Sequence, residues 1–174
     1  MAHPNIMTER MRDGSDAIAD TFSGGAGSDV VFGSKGADSL HGGDDDNATD
    51  YLSYLYSGAG VSVDLLNNTA SGGYAQGDQI SGFEAVQGST HDDVLKGTGG
   101  ANVFDADEGV DTITGRGGAD RFQFWYDESG IGAGHRDIVT DFSRVQGDKV
   151  DLSSFDTPLE FVGSAGFSGE DQVR

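Results

Sequence analysis

The sequence predicts an all-β chain wound as a right-handed parallel β-roll, a form of β-helix, and capped by a C-terminal β segment. Three observations predict it. Asp20, Asp29, Asp38 and Asn47 stand nine residues apart, and Asp93, Asn102, Asp111 and Asp120 repeat the same beat. Two places after each comes Phe22, Val31, Leu40 and Thr49, then Leu95, Phe104, Ile113 and Phe122, apolar in every case but one. Glycines fill the spaces between. The run Gly24-Gly25-Ala26-Gly27-Ser28-Asp29-Val30-Val31-Phe32 matches the whole G-G-x-G-x-D-x-U-x nonapeptide of stacked β-helical coils. Composition bias enriches Gly and Asp but does not fix their spacing, so two runs of four units in register carry structural information.

Composition sharpens the problem. The chain of 174 residues is long enough for one domain with a core. Yet its hydrophobic content is 35% and its net charge −20, a pairing that ordinarily belongs to disordered chains. The conflict disappears if cations are part of the fold. Of the 30 acids 24 are Asp, a turn former, and 29 glycines permit tight turns. There are no cysteines, so a staple other than a disulfide is needed. Met1 to Arg12 is polar and does not read as a signal peptide, and no stretch has the length and apolarity of a membrane span. The acidity disfavours nucleic acid and anionic membranes.

Taken in order, residues 1–14 read as a leader and residues 15–123 as the roll. Residues 15–50 hold four nonapeptides, the first degenerate. The fourth, Gly42 to Asp50, loses its second-turn glycine and its apolar residue and is expected to end the first block. Residues 51–87 drop the glycine motif but keep strand character in Tyr51-Leu52, Val61-Ser62-Val63-Asp64-Leu65 and Ile80, with turns at Gly72-Gly73 and Gly77-Asp78. From Asn47 to Asp93 the beat slips by one residue, which predicts longer coils or a bulge. Residues 88–123 hold four further repeats. Residues 124–174 read as a nonrepetitive β cap, with strands around Ile138-Val139 and Val150-Asp151-Leu152 and a turn at Gly147-Asp148. Such a cap covers the last coil of a solenoid.

Each nonapeptide divides into a turn and a very short strand whose apolar residue points inward. Two nonapeptides make a coil of 18 residues, so residue i stacks beneath i+18 at a strand spacing of roughly 4.8 Å. This places Asp20 on Asp38, Asp29 on Asn47, Asp93 on Asp111 and Asn102 on Asp120. Stacked carboxylates repel unless a cation lies between them. Turn carbonyls and aspartates are hard oxygen donors, which suit calcium; magnesium demands a smaller, wetter octahedral shell. Zinc is not expected, because His3, His41, His91 and His135 are scattered and cysteine is absent. One good apolar residue in nine is too little burial to order the coil alone, so the roll is expected to fold on binding its ions.

These motifs resemble the repeats-in-toxin (RTX) family of secreted bacterial proteins over residues 15–123. Residues 119–156, from Ala119-Asp120-Arg121-Phe122 through Asp137-Ile138-Val139-Thr140-Asp141-Phe142 to Gly147-Asp148-Lys149-Val150-Asp151-Leu152-Ser153, resemble the cap after the repeats of serralysin-type proteases and mannuronan epimerases. The resemblance implies type I export of an unfolded chain and folding in external calcium. It also implies ligands at each motif's second and fourth carbonyls and sixth side chain. In this sequence those positions are Asp20; Gly25, Gly27 and Asp29; Gly36 and Asp38; Gly43 and Asn47; His91 and Asp93; Gly100 and Asn102; Gly109 and Asp111; and Gly118 and Asp120. Asn47 and Asn102 replace a charge by an amide, and His91 stands where the motif has glycine. Asp137 and Asp141 are the candidates for a further ion in the cap.

No catalytic motif is present: H-E-x-x-H, G-x-S-x-G and any cysteine nucleophile are missing. Asp44-Asp45-Asp46 reads as a solvated turn, and Trp125 and Tyr126 read as packing of the cap. The expected function is therefore calcium binding by a secreted, monomeric structural or spacer module. The alternatives are an accessory domain that helps a polysaccharide enzyme or metalloprotease hold its substrate, an anionic polysaccharide for instance, and a fragment of a surface adhesin or toxin.

Overall fold

A computed structural model describes residues 17–44, 48–125 and 136–154, and the backbone of 160–161 and 172–173. It is all-β, and among the described residues the one helical turn is a 3-10 turn at Gly73–Ala75. The strands, in chain order, are β1 (Thr21–Gly25), β2 (Val30–Phe32), β3 (Ser39–Gly43), β4 (Tyr51–Ser53), β5 (Ser62–Asp64), β6 (Thr69–Ser71), β7 (Gln79–Ser81) and β8 (Ala85–Gln87). They continue with β9 (Val94–Lys96), β10 (Val103–Asp105), β11 (Thr112–Thr114), β12 (Arg121–Gln123), β13 (Ile138–Val139) and β14 (Lys149–Asp151), then a small separate pair, β15 (Glu160–Phe161) and β16 (Gln172–Val173).

Two open sheets face each other, as in an RTX-type β-roll. One has the order β2, β4, β8, β10, β12, β14 and is parallel throughout. The other runs β1, β3, β7, β6, β5, β9, β11, β13. Within both repeat blocks the register is 18 residues: Phe22 pairs with Leu40, Leu95 with Ile113, and Phe104 with Phe122. The strands are short because the chain must turn again within nine residues. The central residue of most strands is buried between the sheets, including Val31, Leu40, Leu52, Val63, Ile80, Val86, Leu95, Phe104, Ile113 and Phe122. Phe104 and Phe122 stack with ring centroids 5.4 Å apart, so the column is packed from coil to coil as well as across the sheets.

The join between the blocks departs from the nine-residue beat in two ways. The Asp29 N–H donates to Asp50 Oδ1; Asn47, the expected partner of Asp29, lies outside the described residues. Val30 pairs with Tyr51, so the register there is 21 residues, and the fourth inward residue is Leu52 rather than Thr49. Apolar burial decides this: Leu52 is fully buried, whereas Thr49 carries a hydroxyl and sits before the strand. The insert also lengthens the coil and reverses direction within it. From β4 the chain crosses to β5, beside β9, and then doubles back through antiparallel β6 to β7, beside β3. Leu40 therefore stacks on Ile80, 40 positions on. Tyr54 fills the core over this irregular coil. A Cβ on Gly33 would lie 2.0 Å from its ring, so only glycine leaves that space. The Tyr54 hydroxyl donates to Asp78 Oδ2 at 2.7 Å.

Candidate metal centre: acidic ladders along the edges of the roll

The turns leading into the strands form two edges, and each edge carries a ladder. On the first edge the Asp20 N–H donates to Asp38 Oδ1 at 2.9 Å, and the Asp38 N–H to Asp78 Oδ1 at 2.9 Å. Beyond the insert the Val61 N–H donates to Asp93 Oδ1, the Asp93 N–H to Asp111 Oδ1, and the Asp111 N–H to Asp137 Oδ1, at 2.6, 2.7 and 3.0 Å. On the second edge the Asp29 N–H donates to Asp50 Oδ1 at 2.8 Å and the Asp50 N–H to Glu84 Oε2 at 3.0 Å. The Asn102 N–H then donates to Asp120 Oδ1, and the Asp120 N–H to Asp148 Oδ1, at 2.9 and 3.0 Å.

The same residues' carbonyls accept from the first strand residue of the next coil, as Asp20 does from Ser39, Asp93 from Thr112 and Asp120 from Lys149, each at 2.8–2.9 Å. Every rung thus bonds two coils through backbone and side chain together.

This arrangement shows why the acid stands two places before the inward apolar residue. The triplet acid-x-apolar recurs at Asp50-Tyr51-Leu52, Asp78-Gln79-Ile80, Glu84-Ala85-Val86, Asp137-Ile138-Val139 and Asp148-Lys149-Val150. Asp50, Asp78, Glu84 and Asp148 fall outside the nine-residue period and are marked in the sequence by the triplet alone. A second brace was also missed. The hydroxyls of Ser34, Ser89 and Thr98 donate to Asp38 Oδ2, Asp93 Oδ1 and Asn102 Oδ1, at 3.0–3.1 Å. The signal was a Ser or Thr four residues before the acid or amide.

Burial makes these carboxylates costly. Asp29, Asp38, Asp93, Asp111 and Asp120 are each at most 1% exposed. Burial, followed by the neighbouring carboxylates Asp137 and Asp93, pushes Asp111 well above the usual carboxylate range. Burial raises Asp120 to about 6, with Asp148 and Asp141 adding to it, and burial raises Asp78 to about 6 beside Asp38. Asp93 is raised by burial as well. Two buried oxygens, Asp111 Oδ2 and Asp120 Oδ2, have no hydrogen-bond partner, an expensive condition for a charged group.

The donor set fits a hard cation. At Gly88 a Cβ would lie 2.2 Å from Asp93 Oδ2 and 2.6 Å from the Ala106 carbonyl of the next coil. At Gly109, where φ is +146°, it would lie 2.9 Å from both Asp111 Oδ1 and the His91 carbonyl. Gly36 is crowded in the same way by Asp38 Oδ1 and the Ile18 carbonyl, and Gly118 by the Gly100 carbonyl. Oxygens of successive coils therefore converge where no side chain fits. Among the described residues no three His, Cys, Asp or Glu side chains gather into a centre of their own, so carbonyls would complete any shell. That is calcium chemistry rather than zinc chemistry.

The other expected ligands are placed as follows. Gly25 pairs with Gly43 across β1 and β3, and Gly27 has φ +103° in the turn that leads to Asp29. Asp141 turns its two oxygens to the Gly115 and Arg116 N–H groups at 2.9 and 2.8 Å.

Residues 14–48 and 87–122 match the family model of the RTX calcium-binding nonapeptide repeat, in four copies. No curated protein matches the chain. The chain thus carries two blocks of RTX repeats on an all-β scaffold of parallel coils, and calcium is the ion such repeats bind.

Proposed function

We propose that this chain is a calcium-dependent folding module of a secreted protein, which orders its roll after export and then serves as a structural spacer or surface element. The observation that carries this reading is the ladder of buried, stacked carboxylates, in which Asp111 Oδ2 and Asp120 Oδ2 are left without a partner. Without cations each such rung adds desolvated like charges to a chain of net charge −20. With calcium between coils the same oxygens become ligands. Asp20, Asp29, Asp38, Asp93, Asp111 and Asp120 would supply side chains; Gly25, Gly27, Gly36, Gly43, His91, Gly100, Gly109 and Gly118 would supply carbonyls. The ion would contribute charge neutralisation and crosslinking between coils; the protein's residues would hold the donors in register.

In this reading residues 15–123 form the roll and 124–174 its cap, of the kind found in serralysin-type proteases and mannuronan epimerases. The module works as a monomer and has no catalytic role of its own. Among the described residues no helix is long and apolar enough to cross a membrane.

Far-UV circular dichroism during a calcium titration, with magnesium as control, tests the reading. A cooperative change from coil to β at about 10⁻⁴–10⁻³ M calcium, the range of extracellular modules, is expected. Asp29→Ala and Asp111→Ala should each shift it to higher calcium. A β spectrum indifferent to calcium and to chelator would overturn the reading.

A second reading has one observation in its favour. A cleft of about 630 Å³ opens along the second edge, with Thr49, Glu84, Thr98, Asn102 and Arg121 in its lining. An accessory domain for an anionic polysaccharide would use such a groove, with Arg121 to meet the charge, and calcium-dependent retention of the chain on a polyuronate matrix would favour it.

A further inference from the structure

Among the described residues, the second edge of the later block carries the one amide of the ladders. At Asn102 an amide stands where the motif has a carboxylate. Its Nδ2 donates to the Glu84 carbonyl of the preceding coil at 3.0 Å. Its Oδ1 accepts from the Thr98 N–H at 2.7 Å and the Thr98 hydroxyl at 3.1 Å. Every polar atom of this side chain, itself 2% exposed, is therefore used by protein. The contrast with Asp120, one coil on with an unpartnered Oδ2, is direct.

One coil later Arg116 occupies the motif's second glycine position in a left-handed conformation, φ +71°. Its guanidinium grips Asp64 with both nitrogens at 2.7 Å and also donates to the Gly97 carbonyl of the preceding coil. Its own N–H donates to Asp141 of the following segment at 2.8 Å. The pair is partly shielded, with the Arg116 and Asp64 side chains 25% and 15% exposed, and the guanidinium holds the Asp64 carboxyl well below the usual carboxylate range. One tethered cation thus collects oxygens from the insert and the preceding coil, while its backbone engages the cap.

We propose that Asn102 and Arg116 form a metal-independent clasp: their N–H donors take the place of an ion, the rung between Glu84 and Asn102 binds no calcium, and the clasp staples the insert strand β5 to the second block. The donor chemistry argues for it. A calcium ion needs free oxygen lone pairs directed at it, whereas here the Glu84 and Gly97 carbonyls each accept from a side-chain donor. The bidentate geometry of Arg116 and Asp64 gives direction as well as charge. The proposal rests on the calcium reading above and assigns its loading: ions go to the rungs of Asp111 and Asp120, each with a buried Oδ2 that has no hydrogen-bond partner.

Native mass spectrometry of the full chain at saturating calcium tests the loading. Asn102→Ala should leave the number of bound ions unchanged, and Asn102→Asp should raise it by one. A loss of an ion in Asn102→Ala, or no gain in Asn102→Asp, would overturn the loading. Asp111→Asn, which should lose at least one ion, shows that the count responds to a ligand. Hydrogen exchange tests the staple: in calcium-loaded Arg116→Gln, the amides of Ser62–Asp64 and Val94–Lys96 should exchange about tenfold faster than in wild type, and unchanged exchange would overturn it. A wild-type chain that binds no calcium at all would sink the reading of the previous section instead.

Discussion

At the scale of single residues, the acids are held by what their neighbours lack. A Cβ on Gly115 would lie 2.3 Å from Asp120 Oδ2, whereas nothing stands within 4 Å of one on Gly99. Both are glycines of the same block, but only one makes room for a carboxylate oxygen. Gly115→Ala should push the Asp120 carboxylate out of its rung, costing about 1–3 kcal/mol as overpacking does, and weaken calcium binding; Gly99→Ala should do neither. Thermal melts with and without calcium compare the two, and equal effects would mean that glycine acts here through the flexibility of the unfolded chain. Tyr54 belongs to the same scale. Its phenol is buried, its hydroxyl donates to Asp78, and burial, then the Asp78 charge, raises its pKa. Tyr54→Phe should destabilise the fold by about 1–3 kcal/mol, because a buried carboxylate loses a donor. A melt unchanged in Tyr54→Phe would show that water replaces the hydroxyl.

At the scale of elements, three-residue strands have little to hold them except their central side chain. Phe104 sits between Val86 and Phe122 in register and stacks on Phe122. Phe104→Ala should cost about 3–5 kcal/mol, while Leu66→Ala, at a side chain 56% exposed, should be close to neutral. Denaturant melts in calcium distinguish them, and a mild Phe104→Ala would mean that rungs rather than the apolar column hold the coils. The two repeat blocks were legible in the sequence because both determinants, acid and inward apolar residue, recur there at constant spacing. The insert was not. Three of its strands obey the same triplet at Asp50, Asp78 and Glu84, but the triplets stand 12, 28 and 6 positions after the preceding ones. A periodic reading therefore turned to Asn47 and Thr49. The antiparallel return through β6 left no local mark, since Thr69-Ala70-Ser71 carries no buried large side chain and its place depends on which strands remain unpaired. Likewise the arginine node could not be read, because Asp64 and Arg116 are 52 residues apart and meet only once the insert has crossed over.

At the scale of the whole molecule, the ladders should couple folding to protons as well as to calcium. Burial raises Asp78 and Asp120 to about 6 and Asp111 and Asp93 in the same direction, whereas an unfolded aspartate titrates near 3.8. Between those values the folded chain binds more protons than the unfolded one. By linkage the stability these groups allow is present at low pH and falls as pH rises through about 4 to 6, and further as Asp111 ionises. The calcium-free chain should therefore be more ordered at pH 5 than at pH 7.5. Calcium reverses the slope, since protons compete with the ion for the same oxygens; the loaded chain should lose stability on acidification. Circular dichroism melts at the two pH values, with calcium and with chelator, give four numbers whose order is fixed by this argument. If the chelated chain melted higher at pH 7.5 than at pH 5, the buried carboxylates would have another counter-charge, and the Arg116 node is where to look for it. If the opposite slopes appear, acid and calcium are two routes to the same neutralisation, and the high negative charge of the chain becomes the device that keeps it unfolded until one of them is supplied.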